Sequence, residues 1–358
     1  MRSNQSQKTL SILYFYPYSQ IKRNGVQRFF QELIGSIQSK LPDVYTVFWN
    51  TEKGFVKSYF QLIKEFFKII RKVNVVHFVV LTPYNFPFII IAKILKKKII
   101  LTHHGNYKIN NPITKEPHFY KLFWVTDKIS RIISDILVSP SKYLSRQLKL
   151  NRNKTVLIPN PISLNNHIPV KKIKTFQDQI TIVTASNFNI RQKVNGLFYL
   201  LDAMREIVKE NENVKIYVFG DGIHLSEFRT KYHDVNNIVF MGFRDDYRDY
   251  LYYADLYAHI TGFDNQPYAL LDALILGKVI ICNDIQGLIE MLDVNNNYIV
   301  ELNIFSILNA INKIIYEIRS NSKEFKYKGI KNKDFTMAKH SSEVVSLKYL
   351  ELYNNLLG

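Results

Sequence analysis

Two carboxylates eight residues apart, Asp264 and Asp272, are the first residues here whose type and spacing could do chemistry. Asp264 lies in Gly262-Phe-Asp264-Asn-Gln-Pro267, a loop bounded by glycine and proline. Asp272 lies in Tyr268-Ala-Leu-Leu-Asp272-Ala, which reads as the helix that loop opens into. A loop acid followed by a helix acid suits a polyhydroxylated ligand. The first can accept hydrogen bonds from sugar hydroxyls, the second from a ribose. The amino end of the helix, with its free N–H groups and positive dipole, suits a diphosphate between them. Pro267 fits the first helical position, where its missing N–H costs nothing.

Alternating strands and helices must hold these groups. Buried-strand runs over 10–16, 45–49, 73–80, 98–102, 136–138 and 155–158 alternate with helical stretches over 25–40, 54–72, 86–95, 120–134 and 142–148. In the first of these helices Val26, Phe29, Phe30, Leu33, Ile34 and Ile37 share one face. A proline-containing, basic stretch at 160–175 breaks the pattern. A second alternating series follows: 180–184, 197–211, 214–219, 223–231, 238–241, 246–254, 256–260, 267–276, 279–282, 289–292 and 304–318. The lysine-rich segment 320–334 reads as an exposed crossover, and 341–357 as a final helix with Val344, Val345, Leu347, Leu350, Leu352, Leu356 and Leu357 as its apolar residues. This alternation predicts an α/β chain of two doubly wound, Rossmann-like domains, 1–165 and 166–335, followed by a closing helix, 336–358.

Composition narrows the class further. The single cysteine, Cys282, sits in the apolar run Val279-Ile-Ile-Cys282 and reads as a buried strand residue, so a reducing compartment is expected. The apolar run 86–95 is too short to span a bilayer, and the polar start Met1-Arg-Ser-Asn-Gln-Ser-Gln-Lys8 does not read as a signal peptide. The net charge of +18 is unevenly placed: residues 1–170 hold 26 Lys+Arg against 7 Asp+Glu (+19), and residues 171–358 hold 22 against 23 (−1). A basic first half beside a neutral second half predicts an anionic partner for the first domain alone, an anionic membrane surface or a lipid diphosphate before a nucleic acid. The stretch 55–72 is basic and amphipathic; such helices lie on membranes or, more often, pack on their own sheet. No Cys/His cluster has zinc spacing, and Asp245, Asp246 and Asp249 read as exposed acids at a helix start, so no metal is expected.

The Asp264-x7-Asp272-Ala273 spacing, followed by Leu276-Gly277-Lys278-Val279-Ile280, resembles the donor half of the retaining glycosyltransferases of family 4. Their signature pairs two glutamates at this spacing; both acids here are one methylene shorter. The resemblance runs through Gly25-Val-Gln-Arg28, Thr102-His-His104-Gly105, Ile158-Pro159-Asn160-Pro161, Lys193, Gly220-Asp221-Gly222 and Gly242-Phe243, in family order. It implies the GT-B fold, two Rossmann-like domains facing across a cleft, with the last helix crossing back to the first domain.

The resemblance also assigns roles. His104, chosen over His103 because Gly105 follows it, would contact the donor sugar. Lys193 would neutralise the departing diphosphate, and Asp264 would hold the sugar. Gly25 would let backbone approach phosphate, with Arg28 facing either phosphate or solvent. Gly220 would serve a turn beneath the nucleotide, Asp221 would cap the following helix, and Gly242 and Phe243 would cradle the base. Asn265, Gln266, Tyr268, Ala269 and Asp272 complete the donor site. The usual family arginine is replaced by Asn187, and Arg191 is the substitute. Glu290 would cap a helix start.

The expected activity is that of a hexosyltransferase in polysaccharide biosynthesis. Its nucleotide-sugar co-substrate is a UDP-sugar in preference to GDP-mannose, and its acceptor a lipid-linked or cell-surface glycan precursor. The expected location is cytoplasmic, peripheral at the inner face of the cell membrane, with no cofactor and no nucleic-acid partner. The alternatives are a sugar-nucleotide epimerase or other GT-B relative, or an inactive basic protein that binds membrane or nucleic acid.

Overall fold

The computed structural model describes residues 9–16, 25–48, 55–105, 117–164 and 179–357. They fall into two compact units. The first comprises the residues up to Gly105, those from 117 to Pro161 and those from Ser342 on; the second runs Ile162–Ser341.

The first unit is a parallel sheet in the order β2-β1-β3-β4-β5-β6, with β1 Ile12–Tyr16, β2 Val44–Phe48, β3 Val75–Phe78, β4 Lys98–Thr102, β5 Ile136–Ser139 and β6 Thr155–Leu157. Its central strands are apolar without alternation because helices cover both faces; all five residues of β1 are buried. The helices are α1 Gly25–Gln38, α2 Phe55–Ile70, α3 Phe86–Ile94, α4 Pro117–Ile133 and α5 Lys142–Gln147. The basic stretch forms α2, which sends Leu62, Phe66 and Ile70 into the core beside Phe15, Phe78 and Phe88. Its apolar face is spent mainly on its own sheet.

The closing helix, Ser342–Leu357, belongs to this unit and packs on α1. Its buried residues are Val345, Ser346, Tyr349, Leu352 and Tyr353, whereas Leu347, expected on the apolar face, is exposed. Polar pairing explains the difference. Tyr353 Oη lies 2.7 Å from Tyr14 Oη and 2.8 Å from His77 Nδ1, and Thr102 Oγ1 is 2.6 Å from His77 Nε2. Burial pushes His77 down to about 3, so the ring is neutral within this network.

The second unit has the order β12-β11-β10-β7-β8-β9, again all parallel. Its strands are β7 Ile180–Ala185, β8 Val214–Phe219, β9 Ile238–Gly242, β10 Leu256–His259, β11 Val279–Asn283 and β12 Tyr298–Val300. Between and after them come α6 Arg191–Glu210, α7 Leu225–Lys231, α8 Tyr247–Tyr253, α9 Tyr268–Ile275, α10 Gln286–Ile289, α11 Ile304–Ser320 and α12 Ser322–His340; the closing helix is α13. Cys282 is buried in β11, and burial pushes its thiol up to about 12.

The segment expected to be an exposed crossover is instead helix α12, and the division expected at 335 falls inside it. Its buried residues, Phe325, Gly329, Asn332, Thr336 and His340, recur at helical spacing, but only one is a large apolar group. The hydrophobic period is therefore absent from the sequence. The helix is held instead by backbone approach and amides. A Cβ on Gly329 would lie 2.0 Å from the Gly277 carbonyl oxygen, and Asn332 exchanges two 2.8 Å hydrogen bonds with Asn297. Among the described residues, no helix is long and apolar enough to cross a membrane.

Candidate functional site

In the second sheet the chain winds outward from β7 through β8 to β9 on one side, and β10, β11 and β12 lie on the other. The winding reverses between the neighbours β7 and β10. In open parallel sheets, ligands bind at that reversal, beyond the carboxyl ends of the strands. Lys193 follows β7 and Asp264 follows β10. Lys193 Nζ donates to both carboxylate oxygens of Asp264, at 2.9 Å each. An ammonium has three donors, so this geometry uses two and leaves a third.

Two glycines set the pair. A Cβ on Gly196 of α6 would lie 2.4 Å from the Thr261 backbone, and one on Gly262 would lie 2.3 Å from the Gln192 carbonyl oxygen. The loop after β10 therefore rests directly on the first turns of α6. Thr261 Oγ1 donates to the Lys193 carbonyl at 3.0 Å, and Asn283 at the end of β11 clamps the Thr261 backbone with two 2.9 Å bonds. Lys193 lies in the first turn of α6, which starts at Arg191 rather than at 197 as its apolar pattern suggested. The first turn is polar because it faces this loop and not the core.

His259, at the end of β10, was not foreseen. Its Nε2 is 3.5 Å from Asp264 Oδ2, a charge-sensitive contact too long and misaligned for a good hydrogen bond, and its Nδ1 is 3.3 Å from Tyr257 Oη. Burial alone would raise the Asp264 carboxyl, but Lys193 and then His259 outweigh it and hold the group well below the usual carboxylate range. A depressed carboxyl contributes stability that is complete above its unfolded value and is lost as pH falls through the folded value. Asp264→Asn should therefore be less stable than the parent at neutral pH, and the gap should narrow as the solution is made strongly acidic. Denaturant unfolding at both pH values reads this. An equal gap at both would show that the ionised pair is not what stabilises the loop.

Asn265, Gln266 and Tyr268 are buried beside Asp264, and Ala269 is half-buried in the first turn of α9. The Asn265 N–H donates to Asp264 Oδ1 at 3.0 Å, while its own buried Oδ1 has no hydrogen-bond partner among the described residues. Such an acceptor can take a hydrogen bond from a donor outside the chain. Pro267 is the N-cap of α9, one position before the one expected. Asp272 is fully buried in the second turn of α9, with Arg248 Nε of α8 at 3.6 Å from its Oδ1. Asp272, expected to accept from a ribose, faces Arg248 in this structure.

Gly220 and Gly242 come together, Gly220 N–H donating to the Gly242 carbonyl at 2.9 Å. Gly220 has φ +117°, and a Cβ there would lie 1.9 Å from the Ser186 carbonyl oxygen, so no other residue fits. Asp221 caps its own turn, accepting from Gly222 N–H at 2.8 Å; it does not cap α7, whose N-cap is His224. Phe243 is exposed just past β9. Arg191 does not join Lys193 and Asp264: its guanidinium pairs with Glu227 and lies over Phe198. Glu290 is the C-cap of α10, not a helix start, and its carbonyl accepts from Lys339 Nζ. Asp246 accepts two bonds from Arg244, at 2.7 and 2.8 Å, and Asp249 is buried in α8.

His104 and Gly25 belong to the first unit. Gly25 opens α1; the loop before it lies outside the described residues. Arg28 stands 4.0 Å from Glu32 on the same helix. His104 follows β4 and stacks edge-on against Phe29, ring centres 4.4 Å apart. Burial, then His103, push it down to about 3, although it also hydrogen-bonds the Val79 backbone. The ring is thus neutral, and Nε2 has no hydrogen-bond partner among the described residues. His103 is fully buried with Nε2 3.6 Å from Asp127 Oδ1.

Residues 179–316 match the family model described as glycosyl transferases group 1, which covers the second sheet and the whole Lys193–Asp264 site. No curated protein matches the chain. Solved structures share its architecture at low identity. Anabaena Alr3699/HepE in complex with UDP is 14% identical with a TM-score of 0.73, covering 97% of this chain and 100% of its own. A glycosyltransferase from Rickettsia africae is 17% identical at 0.73, covering 98% and 99%. Sucrose-phosphate synthase from Thermosynechococcus elongatus is 13% identical at 0.73, covering 97% and 99%. The fold is that of GT-B glycosyltransferases, and the family match lies within the second unit, over residues 179–316.

Proposed function

We propose that this chain is a retaining hexosyltransferase of family 4 type, with a nucleotide-diphosphate sugar as donor. UDP-sugar is favoured over GDP-mannose, a preference supported by the structural likeness to HepE, which has been solved with UDP. The observation that carries the reading is the Lys193–Asp264 pair at the winding reversal, with the unpartnered Asn265 Oδ1 beside it. A sugar hydroxyl can satisfy Asn265 and share Asp264. The third donor of Lys193 is free to meet negative charge as the diphosphate departs. In the retaining mechanism that the resemblance implies, the leaving phosphate takes the acceptor hydroxyl's proton on the same face of the sugar, and no metal or cofactor is required. The acceptor in this reading is a lipid-linked or cell-surface glycan precursor in polysaccharide biosynthesis. The enzyme would meet it at the inner face of the cell membrane through its basic first half.

UDP and GDP titrations of the folded protein test the donor assignment. Asp272→Ala should weaken the preferred nucleotide by about 1.5–3 kcal/mol, the cost of losing a charged acceptor. Arg248→Ala is the companion. A matching loss would mean that Asp272 acts through Arg248; a loss confined to Asp272→Ala would mean that the carboxylate reaches the ribose itself. If neither nucleotide binds the parent, the donor site is misassigned.

A further inference from the structure

Helix α4 is packed inside out. Thr126, Ser130 and, just past its end, Ser134 are buried, and their hydroxyls bond back to carbonyls one turn earlier at 2.9, 2.6 and 2.7 Å. Leu122, Val125, Ile129 and Ile132 are exposed, Leu122 by 53% and Ile132 by 63%. The spacing of three, four and three residues puts these four on a single ridge. Trp124 stands beside it, also half exposed. A helix in water normally does the opposite, so a continuous apolar ridge facing out marks a contact surface.

Charge identifies what covers it. Next to the ridge lies a hollow of about 340 Å³ lined by Trp124, Ile132 and four cations, Lys128, Arg131, Lys149 and Lys154, against one carboxylate, Asp127. Asp127 is already matched by Arg131, whose Nε donates to it at 2.9 Å. Lys154 closes the end of α4, donating to the carbonyls of Ile132 and Ser134 at 2.9 and 3.1 Å. Lys128 lies over the Trp124 ring, 5.3 Å from its centre, and Lys149 is exposed. At the same end of the unit α3 finishes with exposed Ile94, Leu95 and Lys96, and Lys93 Nζ reaches Asp135 at 3.5 Å. Apolar side chains interleaved with lysines, and a tryptophan at their border, match the interface of an anionic bilayer. A second copy of the chain fits poorly, because two such faces would bring like charges together.

We infer that the α4 face is a lipid-docking surface: the Leu122–Val125–Ile129–Ile132 ridge enters the acyl boundary of an anionic membrane leaflet, and the neighbouring basic hollow receives a lipid phosphate. This deepens the reading of a membrane-borne acceptor and assigns the contact to α4, whereas the amphipathic sequence pattern pointed to α2.

The test uses the full chain with Trp49→Phe, which leaves Trp124 as its single tryptophan. Vesicles of phosphatidylglycerol mixed with phosphatidylcholine should blue-shift Trp124 emission, and brominated acyl chains should quench it. Phosphatidylcholine alone should do neither. Val125→Ser with Ile129→Ser, both at exposed positions, should abolish the shift. Lys128→Gln and Lys149→Gln should each weaken vesicle binding about five-fold, the equivalent of about 1 kcal/mol per surface lysine. Equal binding to neutral vesicles, or an unchanged ridge variant, would overturn the inference. So would a dimer that the ridge substitutions disperse, or saturation of the hollow by inorganic phosphate with no vesicle response. UDP and GDP titrations of the parent and of the same ridge variant separate the two readings. Vesicle binding by the parent with neither nucleotide bound would sink the donor assignment and leave the docking face standing; the reverse would sink only the docking face.

Discussion

Lys193→Ala should lower turnover by about 10²–10³-fold, the usual cost of removing one preorganised donor from developing charge. The fold should survive, since Lys193 is part-exposed at the start of α6 and its neighbours are held by backbone contacts. Two effects combine in this expectation. On the proposed reading the departing diphosphate loses a cation, and Asp264 loses both of its 2.9 Å bonds from Lys193 Nζ, so its carboxyl rises toward the ordinary range. Donor affinity should fall far less than kcat, because the charge matters most in the transition state. Steady-state kinetics with the preferred donor decides it: an equally active variant removes Lys193 from the mechanism. Arg191→Ala is the control. Its guanidinium is taken up by Glu227, so its loss should be small unless donor binding releases that pair.

Gly196→Ala should disturb the Lys193–Asp264 site directly, although it adds one carbon. The new Cβ would sit 2.4 Å from the Thr261 backbone, and neither α6 nor the loop after β10 can retreat without breaking the bonds from Thr261 and Gly262 to the Lys193 carbonyl. Overpacking of this kind costs about 1–3 kcal/mol of stability. The larger effect should be on catalysis, since a shift of about 1 Å between Lys193 and Asp264 can cost on the order of 10²-fold. Thermal unfolding and kcat measured together check it. A variant that loses stability but keeps full turnover would show that this close approach supports the fold without setting the site. Gly262→Ala, facing the Gln192 carbonyl oxygen at 2.3 Å, should behave alike.

Most strands and helices were legible in the sequence because each signal was local. Short apolar runs such as Ile216–Phe219 and 99–101 read as strands buried on both faces, and Asp264 and Asp272 stand in a loop-then-helix context that short-range patterns reveal. Lys193 was found by resemblance, as were the glycines at 220 and 242. What remained hidden depends on contacts between distant residues. His259, Arg248 and Asn283 carry no spacing signal, since each acts on a partner supplied by another turn of the fold. Helix α12 was hidden because it packs through glycine backbone and amides, which leave no hydrophobic period. The burial of Asp272 and the outward ridge of α4 were invisible for a related reason. A helical pattern says which residues share a face, but only the packed sheet decides which face turns in. Asp264 is the clearest case: its position was readable from eight residues of sequence, while its depressed carboxyl arises because folding sets Lys193, 71 residues away, within 2.9 Å of it and His259 beside it.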